Sequence, residues 1–225
     1  MNLIIDVVFC IDITSKMELH LDKIKAIVIN FENDIRNWFE YCYVKKQIFF
    51  KIRIITFGDS SIDKKLALKL SPVFIFTNQN DHDFLELKKY VENIKCIGGF
   101  YTSDSLRALS MVLEKEWTHR SSSVDNCRNV VFVFSNTRAI SNPKCKFLLI
   151  DKIRLLWNES NWRNNIEPID GIDDCGKRLI LFTKEKSPWT DIFNTCEKVI
   201  LCTDFFGKDI SDSYNDIISA VCDSI

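Results

Sequence analysis

Strand-like and helix-like segments alternate almost throughout the chain. This predicts a three-layer α/β fold, an open and mostly parallel sheet with helices on both faces. Three observations carry that expectation. Residues 3–11 form a nearly continuous apolar run, as expected of a central parallel strand buried on both faces. Further strand-like runs at 47–57, 129–134, 178–183 and 199–203 are separated by amphipathic stretches. No linker or repeat interrupts the alternation, so residues 1–225 are expected to form one domain.

Taken in order, the first strand ends at Ile11-Asp12. Met17, Leu21, Ile24, Val28, Phe31, Ile35 and Trp38 then recur at three- and four-residue spacings, which predicts a long helix with one buried stripe. Lys45 and Lys46 mark a turn before QIFFKIRIITF (47–57), which ends at Gly58-Asp59. Residues 60–71 are polar and read as a loop, and 73–76, after Pro72, as a short edge strand. A helix over 81–94 is stopped by Gly98-Gly99, a pair that permits a left-handed turn. The next helix is expected over 103–117, with Thr102 or Ser103 as its cap and Trp117 facing inward. After a polar connection and the strand 129–134 comes Ser135-Asn136-Thr137, then a helix over about 145–162 and a loop over 163–176. Ser187-Pro188 opens a helix whose inner face is read as Trp189, Ile192, Phe193 and Cys196. Tyr214, Ile217, Ile218, Val221, Cys222 and Ile225 line the last helix.

Composition narrows the function. Hydrophobic residues make up 46%, charged residues 27%, and the net charge is −1, so no basic field attracts nucleic acid or an anionic membrane. No apolar run approaches the length of a bilayer span, and no basic stretch precedes the first strand as in a signal peptide. The nine cysteines include no CxxC pair; Cys10 and Cys202 lie in apolar runs and Cys196 and Cys222 on buried helical stripes, which reads as reduced thiols in a cytoplasm. With six glycines there is no GxGxxG after the first strand, no GxxxxGK[ST] and no GxSxG, so dinucleotide, P-loop and serine-hydrolase chemistry lack their frames. His20, His82 and His119 sit in polar helical surroundings and read as surface residues. A haloacid-dehalogenase-like phosphotransferase needs a second carboxylate two residues after Asp12, where Thr14 stands.

In open α/β sheets, ligands bind at the carboxyl ends of the strands, where strand order switches. The turns after Ile11, Phe57, Phe134 and Thr183 are expected to share that edge. The run Phe9-Cys10-Ile11-Asp12-Ile13-Thr14-Ser15-Lys16-Met17 resembles the first strand and turn of the von Willebrand factor A domain, in its bacterial cytoplasmic form. Phe57-Gly58-Asp59, Gly98-Gly99 with Leu106-Arg107-Ala108-Leu109, Phe134-Ser135-Asn136, the run 178–182 and Pro188-Trp189 extend the resemblance along the chain. It implies a Rossmann-like sheet and a metal-ion-dependent adhesion site.

Carried over by position, that site would draw metal ligands from Asp12, Thr14, Thr102 and Asn136, with Ser103 or Phe100 as other registers for the third. Lys16 stands where a ligand serine belongs and Asn136 where an aspartate does. Both changes weaken a site that holds Mg²⁺ mainly by carboxylate charge, so no tight divalent cation is expected. Lys16 could stand in for the cation or point to solvent, and Asp12 could simply cap the following helix.

The resemblance implies a non-enzymatic protein-interaction module, an adaptor or scaffold in a bacterial stress-response or phage-defence system. Its protein partner would be an ATPase, kinase, phosphatase or chaperone-like protein, met through Asp12, Thr14, Ser15, Lys16, Asp59, Thr102, Asn136 and Arg138. The rival reading is a divalent-metal phosphotransferase or phosphohydrolase in the Asp12 crevice, with Asp59 or Asp104 as the second acid.

Overall fold

The first strand is apolar on both sides because helices cover both. In the computed structural model, residues 2–42, 47–62, 67–118, 126–139, 143–158, 176–183, 187–203 and 211–222 are described. Among them, nine strands alternate with helices: β1 (Asn2–Asp12), α1 (Glu18–Tyr41), β2 (Gln47–Phe57), β3 (Leu68–Leu70), β4 (Phe74–Phe76), α2 (His82–Glu92), β5 (Thr102–Ser103), α3 (Ser105–Leu113), β6 (Asn126–Ser135), β7 (Arg138–Ala139), α4 (Pro143–Asn158), β8 (Lys177–Thr183), α5 (Trp189–Thr195), β9 (Val199–Cys202) and α6 (Ser211–Cys222). The main sheet has the order β3-β2-β1-β6-β8-β9, with β4 also on β2. β1, β2, β6, β8 and β9 run parallel, while the short β3 and β4 pair antiparallel at the edge. The fold is the α/β class expected from the alternation.

Strand pleating divides β1 between two cores. Leu3, Ile5, Val7, Phe9 and Ile11 face α1, α2 and α6, whereas Val8 and Cys10 face α3, α4 and α5. The first core is built on phenylalanines: Phe9 stacks on Phe132 at 5.0 Å, Phe134 on Phe182 at 4.7 Å, and Phe31 of α1 meets Phe9 edge-on at 5.6 Å. Such contacts add to the burial of their large apolar areas. Burial raises the Cys10 thiol pKa.

Several elements differ from the sequence-based expectation. Within 60–71, Leu68–Leu70 forms β3, because Ser71 Oγ accepts the Ile54 N–H and the Ser71 N–H donates to Ile54 O, pinning the chain beside β2. Helix α3 begins at Ser105, not 103, because Thr102 and Ser103 pair with Arg138 and Ala139 as β5 and β7, leaving Asp104 at the cap. It stops at Leu113, and the chain turns so that Trp117 lies under Arg53 at 4.6 Å. Trp38 is only half-buried and Phe39 is buried in its place, while Phe193 is 44% exposed although it was expected inside. Helix α4 starts at Pro143, ahead of the expected 145, while its expected end at 162, the loop over 163–175 and Ile225 lie outside the described residues.

Asp6, a carboxylate inside a buried strand, is fully enclosed. Its oxygens meet Arg53 Nη2 at 2.8 Å, Lys51 Nζ at 2.9 Å, and the Thr118 N–H and hydroxyl at 3.0 and 2.9 Å. Buried charge is tolerated when paired and hydrogen-bonded, as here. This cluster clamps the amino end of the sheet and accounts for the early end of α3.

Candidate functional site

Strand order switches between β1 and β6, since the chain leaves β1 to one side for β2 and later returns to the other side for β6. Asp12 ends β1 and Ser135 ends β6, which places both at the crevice this topology opens. Backbone hydrogen bonds knit the surrounding turns together: Ile13 N to Phe57 O, Ile97 N to Ile13 O, Ser15 N to Gly99 O, Asp104 N to Gly58 O and Arg138 N to Tyr101 O, all 2.8–3.0 Å.

The Asp12 carboxylate is completely buried and internally bonded. One oxygen accepts the Thr14 N–H at 2.9 Å; the other accepts the hydroxyls of Ser135 at 2.9 Å and Thr137 at 2.5 Å. Thr137 Oγ1 also lies 2.8 Å from Ser103 Oγ, extending the network to β5. Burial pushes the Asp12 pKa up, opposed by its bonds from the Thr137 hydroxyl, the Thr14 N–H and the Ser135 hydroxyl. The bond to Thr14 N–H is the turn-capping role open to a carboxylate at a strand end.

Asp59 is bonded separately. Thr102 Oγ1 donates to one of its oxygens at 2.7 Å, and the Ser61 N–H and hydroxyl donate to the other at 2.9 and 2.5 Å. Burial raises its pKa, but the Ser61 and Thr102 hydroxyls and the Ser61 N–H outweigh this and hold it below the ordinary carboxylate range. Asp104 accepts the Ser60 N–H at 3.0 Å. All three carboxylates of the crevice therefore brace loops.

The double-glycine turn hangs over this network. Gly98 and Gly99 adopt φ of +88° and +77°, a region that L side chains enter at a cost. A Cβ on Gly99 would stand 3.0 Å from Asp59 Cβ and 3.4 Å from Thr14 Cγ2. Gly99→Ala is therefore expected to lower stability by about 1–2 kcal/mol from backbone strain alone, and by more if the packing cannot give. Urea unfolding checks this, and a loss below that range would show that the turn relaxes freely.

The structure brings Asp12, Thr14, Ser15, Asp59 and Thr102 around the Gly99 turn, with Asn136 buried at the end of β6. Lys16 is half-buried in the first turn after Thr14, and Arg138 is exposed on β7. The two halves of the expected ligand set are engaged differently: Thr102 serves Asp59, not Asp12, and Phe100 is 54% exposed. Ser135 and Thr137 are the donors to Asp12 that the expected ligand set lacked, and Ser103, one register offered for the third ligand, bonds Thr137 instead. Their only signal was hydroxyl-rich sequence, Ser135-Asn136-Thr137 and Thr102-Ser103, at two strand ends.

A hard divalent cation here would need oxygen ligands with net negative charge. Of Asp12, Thr14, Thr102 and Asn136, only Asp12 is anionic, and both its oxygens already accept bonds. Among the described residues no group of three or more His, Cys, Asp or Glu side chains could hold a metal. Thr14 Oγ1 and Asn136 Oδ1 are buried acceptors without a hydrogen-bond donor, but both are neutral. This donor set does not fit a tightly held Mg²⁺.

Among solved structures, the chain is similar to proximal thread matrix protein 1 from the mussel byssus, with TM-score 0.54 and 11% identity over 97% of this chain and 46% of that one. It is also similar to the pilus adhesin SpaC of Lactobacillus rhamnosus GG in its open conformation, with TM-score 0.54 and 10% identity over 98% of this chain and 30% of that one. The chain thus spans less than half the length of either protein, and the likeness is one of fold. No protein-family model and no curated protein matches the chain.

Proposed function

We propose that the chain is a non-enzymatic, von Willebrand factor A-like protein-interaction module that takes its partner on the carboxyl edge of the sheet without a tightly bound divalent metal. The observation that carries this reading is a contrast within that edge. Asp12 is enclosed and satisfied by internal donors, while Ile62, Phe100 and Tyr101 stand 61%, 54% and 77% exposed. The Phe100 and Tyr101 rings pack edge-on at 5.3 Å, and Ile62 lies close to Gly99, so the three flank one turn. Exposed aromatic residues in a cluster, backed by a rigid loop, are what partner proteins use as anchors. The Arg138 N–H donates to Tyr101 O at 3.0 Å, which ties this turn to β7. A donor from that partner reaching the crevice would satisfy Thr14 Oγ1 and Asn136 Oδ1.

The setting that fits is a bacterial cytoplasm, with an ATPase, kinase, phosphatase or chaperone-like protein of a stress-response or defence system as partner. No described helix is long and apolar enough to cross a membrane. The test is cross-linking of the tagged chain in its native host. A defined partner should cross-link through the 98–102 turn, and Tyr101→Asp and Lys16→Glu should abolish the complex. Leu148→Asp, on the exposed face of α4, should leave it intact. Loss of the complex with Leu148→Asp but not Tyr101→Asp would move the interface to α4. Mg²⁺-dependent hydrolysis of a phosphate ester, abolished by Asp12→Asn, would support the phosphotransferase reading instead.

A further inference from the structure

A cavity of about 420 Å³ opens on the other side of Ile13, between the β3–β4 edge of the sheet and the carboxyl half of α2. Its size is that of a small-molecule site. The apolar lining includes the buried Ile13, Phe74 and Ile94, the half-buried Tyr90 ring beside Phe74 at 6.0 Å, and the half-buried Ile97. Among the buried residues of the lining the polar side chain is Thr56, 4% exposed, and the other neutral polar groups are Asn93 and the Tyr90 hydroxyl.

The mouth has a different character. Lys69, Lys89 and Lys95 line it, against one acid, Glu86, which lies 3.7 Å from Lys89. The surplus charge therefore rests on Lys69 and Lys95, neither of which has an ion-pair partner among the described residues. Lys69 Nζ lies 5.7 Å from the centre of the Tyr90 ring, which holds the ammonium beside the cavity. An apolar interior behind a cationic mouth is complementary to a ligand with an apolar body and one anionic end.

We propose that this cavity binds a small amphipathic organic acid, its hydrocarbon part on Phe74, Ile94 and Ile97 and its carboxylate between Lys69 and Lys95. The site is separate from the partner edge and stands or falls independently of it. The two sites adjoin at Ile97, a cavity residue whose N–H bonds Ile13 O and which directly precedes the Gly98-Gly99 turn.

Titration calorimetry of the full chain with octanoate, and with 1-octanol as the neutral analogue, tests the proposal. Octanoate should bind saturably at one site in the millimolar range or below, and more tightly than octanol. The Lys69→Glu/Lys95→Glu variant, altered only at exposed positions, should weaken octanoate by about tenfold or more while leaving octanol unchanged. Amide shifts in a parallel nuclear magnetic resonance titration should cluster on Phe74, Tyr90 and Ile94. Absence of saturable binding, equal affinity for octanoate and octanol, or an unchanged octanoate affinity in the double variant would overturn it. So would shifts centred elsewhere, or binding to anionic phospholipid vesicles with octanoate silent.

Discussion

Asp6→Ala is expected to cost about 3–5 kcal/mol of folding stability, the range for removing one partner of a buried ion pair. The variant would leave Arg53, 5% exposed, and Lys51 without the carboxylate they share, and would strip the Thr118 N–H and hydroxyl of their acceptor. The desolvated guanidinium is the main loss, because it remains against Trp117 and cannot reach water without unpacking the end of the sheet. Arg53→Met in the same chain should recover a substantial part of the loss, since the uncompensated cation goes with it. The midpoint of urea unfolding, at constant slope, reads both effects. A loss below about 1 kcal/mol, the value of an exposed pair, would show that solvent reaches the cluster.

At Asp12 two substitutions should part company. Asp12→Ala deletes the acceptor of three donors, leaving buried hydroxyls at Ser135 and Thr137 and the Thr14 N–H unpaired, at a cost of about 2–4 kcal/mol. Asp12→Asn keeps an oxygen for Thr14 N–H, and its amide can donate to hydroxyl groups that also accept. It removes a buried charge as well. Because burial raises the Asp12 pKa, the folded chain binds its proton more tightly than the unfolded chain. Stability from this group is therefore present below the ordinary carboxylate range and lost as pH rises from that range through the raised value. Asp12→Asn should flatten that decline and match or exceed the wild type at neutral pH. Asp59 titrates with the opposite sign: its pKa is lowered, so its contribution is lost as pH falls through the folded value. A wild-type stability that rises with pH where Asp12 titrates, unchanged by Asp12→Asn, would contradict the assignment.

The architecture was legible because it rests on local pattern. The apolar run of β1 and the three-and-four spacing of α1 are properties of contiguous residues, and Met17 to Ile35 are buried as that spacing requires. The edge holding the crevice was legible too, since parallel strands leave their carboxyl ends together. What escaped depends on contacts distant in sequence. Ser135 and Thr137 reach Asp12 across more than a hundred residues, and nothing in a serine or threonine at a strand end states which carboxylate it will serve. Thr102 follows the same rule, bonding Asp59 because the β5–β7 pairing turns it that way. The three residues of β3 were too few for a period to appear, and they are held by Ser71 rather than by their own pattern. Trp117 was expected inside at the end of a helix; it is inside, but on a chain that has already left the helix to reach Asp6.

On the proposed reading, Asp12 organises a contact edge through internal hydroxyl donors and not through a metal. The decisive experiment is titration of the wild-type chain and Asp12→Asn with Mg²⁺ and Mn²⁺, read by calorimetry and by the thermal unfolding midpoint. A ligand at a hundredfold excess over its dissociation constant stabilises the native state by about 2.7 kcal/mol, so binding would be plain in both readouts. The predicted result is no saturable heat and an unmoved midpoint for both chains at millimolar cation. Saturable binding that raises the midpoint of the wild type and vanishes in Asp12→Asn would contradict the claim.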